Sequence, residues 1–229
     1  MKSLIWILVA ALFLAACGSS GSSATGQVAI TAAAATQGSG PGAGNDAWAF
    51  IEELPYDYPS TVEAQAVSFM REEEKLARDV YLYLYDLWGQ NIFSNIAASE
   101  QQHTDATLRL LEKYGLDDPA DGKLEGEFTD ANLQGLYDML VAQGSGSQLD
   151  ALIVGATIED LDIYDLQHLL MDIDNEDITQ VFENLMRGSR NHLRSFHDRL
   201  VDQGMVYTPQ YITQEEYDAI VNSPRETGP

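Results

Sequence analysis

Three observations predict an all-α fold built as a four-helix bundle. Apolar residues recur at three- and four-residue spacing through four long stretches of the chain, the period of helices that bury one face. Helix stops punctuate them: Gly89, Gly115, the turn 172–175 and Gly204. No stretch alternates apolar and polar residues as a half-buried strand would, and no segment repeats.

The N-terminal elements point to export. Residues 1–17 open with Lys2 and continue in an apolar run, Leu4 to Leu14. That run is too short to span a bilayer comfortably, so it reads as a signal peptide. The closing Leu14-Ala15-Ala16-Cys17 resembles a bacterial lipobox, and Cys17 is the single cysteine of the chain. An intramolecular disulfide is therefore ruled out, and lipidation of Cys17 is the expectation. By resemblance to sorted lipoproteins, Gly18 in place of Asp implies the outer membrane, facing the periplasm, in a Gram-negative host. Residues 18–46, rich in Gly, Ser, Ala and Thr, read as a flexible tether.

The helical domain is expected over 47–222, followed by a disordered tail at 223–229. Its first long helix, about 60 to 88, carries two stripes, one from Val62 through Glu73 to Leu87 and one from Val67 through Glu74 to Trp88. So wide an apolar arc needs more than one neighbour. The second, about 92 to 114, carries Phe93, Ile96, Thr107 and Leu110 on the face that holds Glu100 and His103. A Gly/Asp/Pro-bearing connection and a short amphipathic helix at about 130–142 form a long crossover. The third long helix, about 148 to 171, runs from Leu149 through Glu159 to Leu170. The fourth, about 176 to 203, runs from Ile178 through Ser189 and His192 to Arg199. Short turns within each pair and the long crossover between pairs give two antiparallel hairpins. A C-terminal piece, 207–221, is expected across the bundle end.

The polar residues on these buried stripes carry the chemistry. They are Glu73 or Glu74 on the first helix, Glu100 and His103 on the second, Glu159 on the third and His192 on the fourth. Glu74 and His103 each lie about fourteen residues from the turn between them, or about 20 Å at 1.5 Å per residue. Glu159 and His192 flank their own turn similarly, so the groups meet at one level. Buried carboxylates and imidazoles are costly unless they hold a metal, share a proton or pair with a counter-charge. Glu-x-x-His alone is a weak signal; acids and histidines on the buried stripes of the other helices at one height are what point to metal. Without metal, the same residues would form a buried salt-bridge network.

This arrangement resembles the ferritin-like di-iron carboxylate proteins, whose sites combine single glutamates with Glu-x-x-His pairs. The segment Glu74-Lys75-Leu76-Ala77-Arg78-Asp79-Val80-Tyr81 looks like the first helix of rubrerythrin-type members, which favours Glu74 over Glu73. The segments 72–81, 97–103 and 188–196 together resemble a small ferritin-like family known only as a domain of unknown function. The resemblance covers about 62 to 217. One departure stands out: Ser189 occupies the place of the glutamate in the fourth helix. Asp162, three residues from Glu159, is a candidate replacement. With it, Glu74, Glu100, Glu159 and Asp162 give four carboxylates beside His103 and His192, enough to balance two divalent ions. A one-metal or degenerate site are the alternatives. The other stripe glutamate, Glu73, is expected as a surface or salt-bridging acid near Arg71 or Arg78. Arg190, Asn191 and Arg194 are expected beside the buried acids, Tyr81 as a core aromatic, and His168 and His197 off the site.

Composition narrows function further. With 36 acidic against 12 basic residues, the net charge is −24, which disfavours nucleic acid. The resemblance implies a di-iron site, with manganese the other candidate, reacting with dioxygen or peroxide. Glu100 and Glu159 would bridge or chelate, and His103 and His192 would each cap one ion. No Cys-x-x-Cys pair is present, so an external electron donor would be required. A homodimer is compatible with this reading, whereas a closed storage cage is disfavoured by an acylated tether. The alternatives are a metal-sequestering lipoprotein and a structural helical module.

Overall fold

The computed structural model describes residues 48–227. The signal peptide 1–17 with Cys17 and the tether 18–46 lie outside the described residues. The described chain is all-helical, with no strand among those residues. Six α-helices follow a 3-10 turn at Ala49–Glu52: α1 Thr61–Trp88, α2 Asn91–Tyr114, α3 Ala131–Gly144, α4 Gln148–Leu169, α5 Glu176–Asp202 and α6 Gln214–Val221.

Local chemistry sets the ends. Ser60 caps α1 in a reciprocal capping box with Glu63, satisfying donors that the first turn leaves open. Glu63 also accepts from the backbone amides of Asp174 and Asn175, which ties the α4–α5 turn to the start of α1. Gly89 and Gly115 end α1 and α2 with φ of 65° and 63°, a left-handed conformation that Cβ-bearing residues resist. The last turn expected of the third long helix instead tightens into a 3-10 segment, Leu170–Asp172.

Helix α1 packs along α2 and α4 along α5; across the pairs α2 meets α5 and α1 meets α4, while α3 lies on α1 and α4. Two apolar cores result. One gathers Val80, Tyr81, Leu84, Phe93, Leu152 and Phe196; the other gathers Val67, Met70, Leu110, Ile178, Phe182 and Leu185. On α1, α2 and α5 the residues between these sets are the polar ones, Glu73–Glu74, Glu100–His103 and Ser189–His192, so a charged layer separates two dry ones.

Helix α4 is buried on nearly every side from Ala151 to Leu166. The C-terminal piece explains this. Rather than crossing an end, it lies along α4 and α5: Asp160 accepts from Tyr207 Oη and from the backbone amides of Gln210, Tyr211 and Ile212, while Arg194 donates to Ile220 O. The ends of the predicted stripes do differ. Val62 and Leu87 are exposed, and on α5 Leu200 rather than Arg199 faces inward. Within 223–227, Glu226 accepts from Arg190 and Arg194, and Asn191 bonds its backbone. These three α5 residues therefore serve the C-terminal segment and not the buried acids.

Candidate metal centre

All six candidate ligands on the helices are buried, and they arrive from four elements: Glu74 from α1, Glu100 and His103 from α2, Glu159 and Asp162 from α4, His192 from α5. Glu100 and His103 meet because positions three apart share a helix face; His103 Nδ1 lies 2.7 Å from Glu100 Oε2 and 3.2 Å from Glu74 Oε2. On the other side of the same carboxylate, His192 Nδ1 lies 2.7 Å from Glu100 Oε1 and 3.4 Å from Glu159 Oε2. Glu100 thus faces one imidazole with each oxygen. Two three-residue groups follow, Glu74–Glu100–His103 and Glu100–Glu159–His192, each with donor atoms within 4.8 Å of one another. The two imidazole rings stack with centroids 5.6 Å apart.

Neighbours hold these groups in place. Tyr81, wholly buried, donates to Glu159 Oε1 at 2.5 Å and contacts Gly155 O at 3.3 Å. Ser99 Oγ meets His192 Nε2 at 3.0 Å, which leaves Nδ1 for the carboxylate side. Ser189 donates to Asp162 Oδ2, so the serine in the glutamate's place touches the acid proposed to replace it. Neither three-residue group includes Asp162.

The donor set suits a cation. Glu74 Oε1, Asp162 Oδ1 and His192 Nδ1 are buried with no hydrogen-bond partner. His192 Nδ1 is close to Glu100 yet not aligned to bond it. Buried polar atoms of native proteins are rarely left so. Carboxylate oxygens and imidazole nitrogens converging from separate helices fit iron or manganese.

Without a cation, protons must do the neutralising. Burial raises Glu74 to about 8, against the pull of His103. Burial also raises Asp162 well above the usual range, with the Glu74 charge adding to it, and raises Glu159 against the pull of His192. Glu100 goes the other way: burial pushes it up, but the charges of His103 and His192 outweigh this and hold it low. Burial would depress both imidazoles, yet Glu100 with Glu74 lifts His103 well above its usual value, and Glu100 with Glu159 lifts His192 to about 10.

Glu73 departs from expectation. It is buried, has no cation partner, and sits beside Asp165 and Asp162; burial, then those two charges, raises it strongly. The cations expected near it are engaged elsewhere, Arg71 with Asp118 and Arg78 with Asp79. Asp165, raised by burial to about 6, and Ser99 were not singled out from sequence. Both lie three or four residues from a candidate ligand, or next to one, which is the signal that would have found them. His168 and His197 stay off the site, against Tyr164 O and Tyr217 Oη.

The sequence profile of a family described as "Uncharacterized protein domain (DUF2202)" matches residues 63–224. The chain is 52% identical over 179 residues to the uncharacterized protein MJ0754 of Methanocaldococcus jannaschii, covering 78% of this chain and 97% of that protein. The crystal structure of hypothetical protein MJ0754 from the same archaeon superposes with a TM-score of 0.74 at 53% identity, over 76% of this chain and 99% of that one. The chain belongs to the DUF2202 family.

Proposed function

We propose that this protein is an envelope-anchored metal-binding protein of the ferritin-like kind. Its four long helices form the bundle, α3 sits in the crossover, and the layer around Glu100 holds a di-iron or di-manganese centre reacting with dioxygen or peroxide. One observation carries the reading: the two oxygens of Glu100 serve two separate carboxylate–imidazole groups. A salt-bridge network needs no such shared carboxylate, and it would leave Glu74 Oε1 and Asp162 Oδ1 without partners.

In this reading Glu74, Glu100 and His103 would hold one ion, and Glu100, Glu159 and His192 would hold the other. Asp162, steered by Ser189, supplies the charge that a helix-α5 glutamate would otherwise bring. Two such ions would supply reducing equivalents to dioxygen or peroxide. The chain's own residues hold the geometry: Tyr81 fixes Glu159, Ser99 fixes the His192 ring, and the apolar layers on either side keep water out. The anchor is Cys17, and electrons would come from an external donor.

Titration of ferrous ion into the full chain under anaerobic conditions, with stoichiometry per chain, tests the reading. Two ions are expected, followed by oxygen or peroxide consumption and a ferric absorption band. Stoichiometric binding with no such reaction leaves metal sequestration. No binding leaves a structural module and overturns the proposal.

A further inference from the structure

On the outer side of His103, α2 and α5 enclose a cavity of about 160 Å³ walled by Trp48. The metal-facing atom of His103 is Nδ1; its opposite edge turns toward Gly188. A methyl at position 188 would stand 2.5 Å from Cε1 and 2.6 Å from Nε2, so only glycine leaves that edge of the ring uncovered. Nδ1 faces the carboxylates, so Nε2 is the ring nitrogen left on the cavity side.

The rest of the lining is of one kind. Arg187 is half-buried at the cavity and makes no ion pair or hydrogen bond among the described residues, and Asn184 and Gln102 bring amide groups. None of the lining residues is acidic, in a chain with 36 acids and 12 bases. A guanidinium held half-dehydrated beside neutral donors lacks the counter-charge it would ordinarily find. An oxyanion supplies both the charge and the acceptor atoms.

We propose that this cavity binds a small oxyanion against the Nε2 edge of His103, with Arg187 as its charge partner and Asn184 and Gln102 as further donors. The volume takes an anion of phosphate or carboxylate size. Because His103 is common to both, an anion bound here touches the ring whose other nitrogen faces Glu74 and Glu100. Its meaning for reactivity rests on the metal reading above; its binding does not.

Isothermal titration calorimetry of the metal-free full chain, at fixed ionic strength in chloride, tests this with inorganic phosphate, sulfate and acetate as probes. One saturable site is expected for at least one probe, and which one binds separates tetrahedral from planar oxyanions. Arg187→Gln should weaken binding at least tenfold. Arg199→Gln, an exposed cation on the same helix, should leave it unchanged. Phosphate or acetate should also shift the His103 ring nitrogen resonance, which general charge screening would not do. No saturable binding by the wild type, an unaffected Arg187→Gln, or equal loss in both variants overturns the proposal. A chain that binds the anion but no ferrous ion sinks the metal centre and leaves this site standing; the converse sinks only this site.

Discussion

Filling the metal centre should release about two protons per chain or more at pH 7. At that pH Glu74, raised to about 8, is protonated about nine-tenths of the time. His192, raised to about 10, is protonated, while His103 and Asp162 are lifted above their ordinary values. A ligand carboxylate or imidazole must lose its proton to bind. His192 and Glu74 alone thus give close to two, and the raised His103 adds to them. Linkage then makes the overall binding constant rise by at least about two powers of ten per pH unit near 7, or about 1.4 kcal/mol per proton. Calorimetric titration of manganous ion in three buffers of different ionisation enthalpy reads the proton number directly. Glu74→Gln should lower it by about one. Release of fewer than about one proton, or an affinity flat between pH 6 and 8, would refute the assignment of these groups as protonated ligands.

The metal-free protein should respond to pH in the opposite sense. His192 and His103 have folded values above the unfolded 6.5, so their stabilisation is whole below 6.5 and lost as pH rises through the folded values; Glu74 likewise favours the folded state less from pH 4.5 up to about 8. The apo Tm should therefore fall steadily from pH 7 to 10, and a flat profile in thermal unfolding would contradict this. Gly155→Ala should lower stability by about 1–3 kcal/mol in urea unfolding, because its Cβ would lie 2.3 Å from the Phe196 ring. Cys17→Ser should move the protein from membrane to soluble fractions, and a variant that stays with the membrane would remove the anchor.

Much of the helical framework was legible because its signals are local. The capping residue Ser60, the stops Gly89 and Gly115 and the 3–4 periodicity place α1 and α2 within a residue of their observed limits. The long-range environment was less legible. Asp160 and Asp165 look in sequence like solvated acids of α4, yet both are buried; residues 207–212 fold back over Asp160 and satisfy it through their backbone amides. A stripe read from one helix cannot reveal which other segment covers it. The same limit hid Glu73: spacing made it the alternative to Glu74, while only packing shows that α4 brings Asp162 and Asp165 against it.

The Ser189–Asp162 contact gives this departure a physical shape. A glutamate at 189 would bring a further carboxylate to a layer already holding Glu73, Glu74, Glu100, Glu159 and Asp162, with burial raising most of them toward neutrality. Serine instead offers a hydroxyl that donates to Asp162 Oδ2, leaving Oδ1 buried and unpaired. The hydroxyl on α5 and the acid on α4 therefore form one feature: the sequence pairs them only as a gap and its candidate replacement, and packing α4 against α5 turns the pair into a direct contact.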